Sequence, residues 1–210
     1  MKNRRSKFLP AALLVLQTAG LGALELTKAD FPGNAPGSPA APSASSGTVA
    51  LASGPQKVKT AGSLKADFTF SGVLVVKNMA FEKNAVVMPV TAYKDRTYTD
   101  IKLLSKGFYM KIQACFARGE CASRTGAAAP VIKVEEVKLL KSRTRVANAE
   151  VSFDGELKVT FGVMKNRSGE LWVVYPGNFE VADAAFKSAI AKAVKEAYAK
   201  ASITAQQQKK

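Results

Sequence analysis

The hydrophobic and polar positions of the chain repeat one order of patterns twice. In residues 64–70, apolar and polar side chains alternate as in a half-buried strand, and residues 73–81 predict a second strand after a Ser-Gly turn. A further turn leads into the short apolar stretch 85–89, which a proline ends because proline cannot donate to a strand ladder. These elements predict an antiparallel meander.

The same order returns in the second half of the chain. Residues 147–153 alternate, an Asp-Gly pair predicts a hairpin turn, residues 156–164 return, and the apolar stretch 171–176 again ends in proline. The offset is 83 residues at first and 87 at the two prolines. We interpret the pattern as a duplication, the alternative being two generic meanders. The corresponding residues are Phe70 and Phe153, Gly72 and Gly155, Leu74 and Leu157, Val76 and Val159, and Pro89 and Pro176.

After each meander, the spacing of the apolar residues changes from that of a strand to that of a helix. From Phe186 to Tyr198 an apolar residue recurs every four positions, which predicts an amphipathic helix over 182–201 with Asp183 near its N-cap. After the first meander, residues 93–100 are polar and residues 103–116 predict a helix. An additional strand is predicted over 131–140.

These elements predict an α+β fold of two tandem antiparallel β-meanders, each followed by a helix. The expected repeats span residues 63–125 and 130–202, and residues 203–210 are expected to form a disordered tail.

The N-terminal residues 1–29 have the composition of an export signal. Basic residues at the start precede an apolar run that reaches about Leu24, and small residues offer cleavage near Gly22 or near Ala29. Residues 30–62 hold five of the nine prolines among many Ala, Ser and Gly, which predicts a disordered linker with a short strand at 48–52. The chain is therefore expected outside the cytoplasm, or in the cytoplasm if the leader is not used. The alternative for the leader is a buried N-terminal helix.

The charge balance favours a polyanionic partner. The chain carries a formal net charge of +15, and residues 30–210 alone still carry +11. Such an excess favours nucleic acid, anionic lipid or acidic wall polymers. The alternative is a surface that only keeps the protein soluble.

The absence of histidine excludes several kinds of catalytic and metal-binding site. With no His in the chain, Ser-His-Asp triads, Cys-His pairs and histidine metal ligands are excluded. No nucleophile elbow, P-loop or Gly-rich dinucleotide turn occurs in the sequence. We therefore expect a protein that is not an enzyme, with no cofactor, no metal site and no small-molecule substrate.

Two cysteines lie close together in the sequence. Five residues separate Cys115 from Cys121, and Gly119 among them allows the chain to turn back. An oxidising compartment would favour a disulfide between them. The alternative is two free thiols, which is expected if the leader is not used.

Several stretches resemble the stage V sporulation protein G family. They are Ile-Lys-Val-Glu-Glu-Val-Lys-Leu-Leu at 132–140, the hairpin Phe-Asp-Gly-Glu-Leu at 153–157, and Ala-Val-Lys-Glu-Ala-Tyr at 193–198 in the last helix. The first copy adds Met-Pro at 88–89 and the polar segment Lys-Asp-Arg-Thr-Tyr-Thr-Asp-Ile at 94–101. It lacks the His-Pro that leads into the helix in the family. The resemblance covers roughly residues 64–198 as two degenerate copies.

The resemblance implies a small bacterial α+β regulator of septation and gene expression that pairs as a dimer and binds nucleic acid. One chain would then contain the pair as a pseudo-dimer, with the meanders joined and the helices outside. Lys94 and Arg96 carry over as candidate polyanion contacts. Lys192 and Lys195 join them on charge and expected exposure, with a solvated surface as the alternative. The aromatic residues Phe70, Phe153, Trp172 and Tyr198 are expected in the core and not as stacking surfaces.

The function expected from these observations is that of a septation or gene-regulation type of binding protein that contacts nucleic acid through basic surface residues. Self-association is a second expected kind of partner. The alternative is an exported, envelope-associated module that binds an anionic polymer or a protein.

Overall fold

A computed structural model describes residues 23–32, 64–119, 121 and 128–208. Within these residues, twelve strands and two helices follow one another, and the fold is α+β as predicted. The first copy contains β1 (Leu26–Asp30), β2 (Leu64–Phe70), β3 (Leu74–Glu82), β4 (Ala85–Val87), β5 (Thr91–Tyr93), β6 (Arg96–Tyr98), β7 (Ile101–Leu103) and α1 (Lys106–Arg118). The second contains β8 (Ile132–Leu139), β9 (Arg145–Phe153), β10 (Leu157–Lys165), β11 (Leu171–Val174), β12 (Phe179–Val181) and α2 (Ala184–Gln207).

The two copies exchange one strand each. The first sheet has the order β1-β2-β3, and the free edge of β3 is shared by β4 and by β12 from the other copy. The second sheet has the order β8-β9-β10, and the free edge of β10 is shared by β11 and by β7 from the first copy. Strands β5 and β6 form a separate hairpin in the first copy. Each sheet therefore has the same plan, and each is completed by the strand that precedes the other copy's helix.

The registers of the exchanged strands match at the predicted offset of 83 residues. Val76 lies opposite Phe179 in the first sheet, and Val159 lies opposite Ile101 in the second. An equivalent backbone hydrogen bond lies beside each exchanged strand. The amide of Lys77 donates to the carbonyl oxygen of Asn178 at 2.8 Å, and the amide of Thr160 donates to the carbonyl oxygen of Asp100 at 2.7 Å. These matching pairs support an internal duplication arranged as a pseudo-dimer.

Local sequence explains the turns and the helix starts. Ser71 and Asp154 have φ of 47° and 51°, and the glycine after each also has positive φ, a combination typical of tight hairpin turns. The side chain of Ser105 accepts from an amide in the first turn of α1 at 2.9 Å, and Asp183 does the same for α2 at 2.6 Å.

One hydrophobic core runs through both copies. Phe70 and Phe153 are fully buried as predicted, and each packs against the first phenylalanine of its own copy's helix, Phe108 or Phe186. Phe179 pairs through its backbone with the first sheet, yet its ring lies 5.9 Å from Phe153, counted between ring centroids. The exchanged strand therefore joins the two halves through packing as well as through hydrogen bonds. Pro89 and Pro176 each follow an equivalent strand, β4 and β11, by two residues.

Several predicted boundaries are corrected. Residues 93–100 contribute to the hairpin β5–β6, and α1 begins at Lys106, not at 103, because residues 101–103 pair as β7. The expected disordered tail is helical up to Gln207, since α2 continues past the predicted end. Strand β12 was not predicted because its three residues are too short for a periodicity to show.

The boundary between leader and linker at Ala29 falls inside the fold. Leu24 is fully buried, and the residues up to Asp30 pair with β2 as strand β1. Phe31, expected in the linker, packs against Phe68 with ring centroids 6.3 Å apart. Cleavage near Gly22 would leave β1 in place, whereas cleavage after Ala29 would remove most of it. The rest of the leader, the linker over 33–62 and its strand at 48–52 lie outside the described residues.

Candidate nucleic-acid interface

The second sheet has an outer face that α2 does not cover. Helix α2 packs on the opposite side, where Phe186 meets Phe153. Opposite residues of paired strands share a face, so the registers arrange the outer face in rows. From one end, these rows are Arg145, Met164 and Trp172; Asn148, Gly162 and Val174; Glu150 and Thr160; and Ser152, Lys158 and Lys102.

Arg145 is held flat against the sheet at this end. Its Nε donates to Oδ1 of Asn148 at 2.8 Å. A Cβ atom on Gly162 would lie only 3.1 Å from the same Nε and 3.3 Å from Nη2. The glycine therefore makes room for the guanidinium, whose remaining N–H groups are available to an anion.

Two loops bring further cations to the same end. The β8–β9 loop is joined to the end of β10, where the β10–β11 loop begins, by a hydrogen bond of 2.8 Å from the backbone amide of Lys165 to the carbonyl oxygen of Thr144. All the basic side chains of these loops and of the strand ends beside them are exposed. We call them the basic end, and they are Lys141, Arg143, Arg145, Lys165 and Arg167. Among the residues that the structure describes, none of the five forms an ion pair.

Both loops are tied internally. The hydroxyl of Ser142 accepts from the amide of Arg145 at 3.2 Å, and the side chain of Asn166 accepts from the hydroxyl of Ser168 at 2.7 Å. The carboxylate of Glu170, the one acid in the β10–β11 loop, accepts a hydrogen bond from the side-chain amide of Asn166 at 3.0 Å. The loops therefore present their cations from defined positions.

Farther along the outer face, most charged side chains form ion pairs, and Lys102 is the exception among the described residues. Lys158 donates to Glu150 at 2.8 Å, and this contact lowers the pKa of the Glu150 carboxyl and raises the pKa of Lys158. The pKa of Glu135 is lowered first by the hydrogen bond from the Ser152 hydroxyl and then by Lys133. Unpaired positive charge on this sheet is therefore concentrated at the basic end.

The predicted contacts Lys94 and Arg96 lie together on the β5–β6 hairpin. Lys94 occupies the turn with φ of 52°, and its Nζ is 5.6 Å from the centre of the Tyr93 ring. Arg96 lies opposite Tyr93 in the ladder, and both are exposed. The hairpin also presents Tyr98, so it combines two cations with two exposed rings.

Lys192 and Lys195 lie on the exposed side of α2. Within the described residues no hydrogen bond or ion pair joins them to the hairpin or to the basic end. The predicted contacts therefore form two separate pairs. The structure brings together a different set, and the runs Lys-Ser-Arg-Thr-Arg at 141–145 and Lys-Asn-Arg at 165–167 were its signal in the sequence.

The expectation that Trp172 belongs to the core is wrong. Its side chain is 42% exposed on the outer face, although Phe70 and Phe153 are buried and Tyr198 packs partly against the core. The alternation in β11 turns Val173 inward and therefore turns Trp172 and Val174 outward.

The first copy carries a disulfide and a groove. Cys115 at the end of α1 is bonded to Cys121, with their Cα atoms 4.8 Å apart. A groove of about 520 Å³ runs between the start of β1 and α1, and its charged lining consists of Glu25, Lys111 and Arg118.

Among the described residues, no group of three His, Cys, Asp or Glu side chains could hold a metal ion. No helix in the part of the chain that the structure describes is long and apolar enough to cross a membrane.

Comparison with known proteins adds no assignment. No protein-family model, no curated protein and no solved structure matches the chain.

Proposed function

We propose that this chain is a non-enzymatic binding protein that holds a polyanion at the basic end of its second sheet, with nucleic acid as the ligand. The observation that supports the proposal is the convergence of five exposed basic side chains from two loops and the strand ends beside them, none of them ion-paired within the described residues. A regulatory role in septation or gene expression accompanies this proposal on the sequence resemblance alone.

Phosphate groups suit this arrangement for a physical reason. A polyanion that binds Lys and Arg releases condensed counterions, and this release supplies most of the affinity at low salt. Arginine adds direction, because its planar fork matches two oxygens of one phosphate. The three arginines of the basic end would then set the path of the backbone, and the two lysines would add charge.

The second candidate function is an exported, envelope-associated module that binds an anionic polymer or a protein. The disulfide between Cys115 and Cys121 favours it, because structural disulfides persist mainly in oxidising compartments. Both candidates use the same cations, so they differ in the ligand and in the compartment.

A salt titration with two charge-matched variants tests the proposal. In the first variant Lys141, Arg143, Lys165 and Arg167 become Gln, and in the second Lys94, Arg96, Lys192 and Lys195 become Gln. Both lose four positive charges, so a general charge effect would change them equally. The ligands are a single-stranded oligonucleotide, a duplex and heparin, each measured by anisotropy across a range of salt concentrations.

We expect the first variant to lose affinity and to flatten the plot of log affinity against log salt, by roughly 0.7 for each phosphate contact removed from a single strand. The second variant should retain most of the parent's slope. A flattened slope in the second variant alone would move the interface to the hairpin and α2. Affinity that does not depend on salt in the parent protein would contradict polyanion binding altogether.

A further inference from the structure

We propose that the ligand at the basic end is a single strand of nucleic acid, with a base stacked on Trp172 and the neighbouring phosphates bound by Arg145 and the loop cations. This inference rests on the proposed function and specifies the kind of nucleic acid. The observation behind it is that Arg145, Met164 and Trp172 lie side by side in one row of the outer face of the second sheet.

The Trp172 ring lies where a base could reach it. It is 42% exposed, and its neighbours on the outer face are Met164 across the ladder and Val174 along the strand, itself 43% exposed. An exposed indole bordered by apolar side chains offers a flat surface that every base can stack on. This apolar strip adjoins the basic end, whose five cations have no ion-pair partners among the described residues.

The charge of Arg145 and the ring of Trp172 lie on one face of the sheet, two strands apart. Arg145 and Trp172 belong to the two strands that flank β10, so about 10 Å separates their backbones. Arg145 is already fixed by Asn148 and by the space above Gly162, so its guanidinium loses little freedom on binding a phosphate. One nucleotide could thus place its phosphate on Arg145 and a neighbouring base on the indole.

The shape of the site favours a single strand over a duplex. Trp172 stands on the open face of a sheet, and in a duplex the base faces are covered by stacking on one another. A duplex could offer only its phosphates to the basic end and would leave Trp172 unused. A single strand uses both, so it should bind more tightly at equal salt.

The first copy provides an internal comparison. The pairing of Ala80 with Val87 matches that of Gly162 with Val174, so Glu82 and Ala85 occupy the places of Met164 and Trp172. A carboxylate and a methyl group can neither bind a phosphate nor stack a base. Among the described residues, the equivalent positions of the first copy therefore lack this stacking surface.

The experiment uses the fluorescence of Trp172, the one tryptophan of the chain, so the emission reports on this site. The probes are an oligothymidylate of about 12 nucleotides, a duplex of the same length and heparin. The variants are Trp172→Ala, Trp172→Phe and, as a control for an exposed apolar side chain elsewhere, Met110→Ala. Affinities of variants without tryptophan are measured by anisotropy of the labelled probe, and circular dichroism checks that each variant is folded.

We expect the oligothymidylate to quench Trp172 and to bind more tightly than the duplex. Trp172→Ala should weaken binding of the single strand roughly 5- to 100-fold, and Trp172→Phe should recover most of that loss. The salt slope should not change, because the indole carries no charge. Met110→Ala should bind as the parent does.

Three outcomes would overturn the inference. If Trp172→Ala binds the single strand as the parent does while the salt dependence persists, the polyanion proposal stands and the stacking proposal fails. If heparin quenches Trp172 and binds more tightly than the oligothymidylate, the ligand is an anionic polysaccharide. If no probe binds in a salt-dependent way, the proposed function fails as well.

Discussion

The guanidinium of Arg145 occupies the space that a side chain on Gly162 would fill: a Cβ there would meet its Nε at 3.1 Å and its Cζ at 3.2 Å. Gly162→Ala should therefore displace Arg145 and weaken oligonucleotide binding by about 1 kcal/mol, roughly fivefold, because one charge-assisted contact is misplaced. Gly177→Ala is the matched control, since a Cβ there meets nothing within 4 Å. Equal affinities for both variants and the parent would show that Arg145 needs no fixed position.

The stability of a Leu24 variant indicates whether the N-terminus of the processed protein lies before or after residue 24. Leu24 is fully buried, so Leu24→Ala should lower the free energy of unfolding by about 3 kcal/mol if residue 24 remains in the processed protein. Ile203→Ala, at a residue that is 56% exposed, should change it by less than about 0.5 kcal/mol. Urea unfolding of protein purified from the compartment where it is found is the measurement. An unchanged midpoint for Leu24→Ala would place the cleavage beyond Leu24.

Strand exchange predicts that the two copies unfold together. Phe179 belongs to β12 in the first sheet but packs on Phe153 and Phe161 in the second, so Phe179→Ala should cost about 3–5 kcal/mol. Trp172 fluorescence reports on the second sheet, and far-ultraviolet circular dichroism reports on both. Their urea transitions should coincide in the parent protein. Two separate transitions would mean that the copies are independent domains. Tyr93→Ala, at a residue that is 64% exposed, serves as the control.

The disulfide should stabilise the fold only modestly and only near the end of α1. Replacing both Cys115 and Cys121 by Ser should lower the free energy of unfolding by roughly 2 kcal/mol, because the bond closes only a small loop. Thiol titration of the denatured, unreduced protein should find no free thiol, and the same titration after reduction should find two. Free thiols in the native protein isolated from its own cell would argue for a reducing compartment and against export.

The Lys158–Glu150 pair should give stability a defined pH dependence. The contact lowers the pKa of Glu150 below 4.5, so its contribution is present above that pH and is lost as pH falls through the lowered pKa. It raises the pKa of Lys158 above 10.5, so its contribution is fully present below that pH and is lost as pH rises through the raised pKa. A double-mutant cycle with Glu150→Gln and Lys158→Met should give at most about 1 kcal/mol at neutral pH. The coupling energy should vanish in acid, and a coupling that persists at pH values far below 4.5 would contradict this assignment.

The sequence alone determined the meanders, because period-2 alternation and Asp-Gly or Ser-Gly turns are local signals. It also determined the correspondence of Phe70 with Phe153 and of Pro89 with Pro176, since each pair holds the same place in a repeated order. The α+β class followed from the change to helical period after Pro176. The sequence also showed the excess of positive charge, but it did not show where the charged side chains lie on the fold.

The tertiary structure decided where those charges meet and which aromatic residue faces solvent. The segments 141–145 and 165–167 are about 20 residues apart in the chain, and only the pairing of β9 with β10 places their cations at one end of a sheet. Trp172 belongs to an apolar stretch, and whether such a residue points inward depends on the register with β10, since a shift of one residue would turn it to the other face. The exchange of β7 and β12 likewise depends on long-range pairing of three-residue strands, which are too short to leave a periodic signal in the sequence.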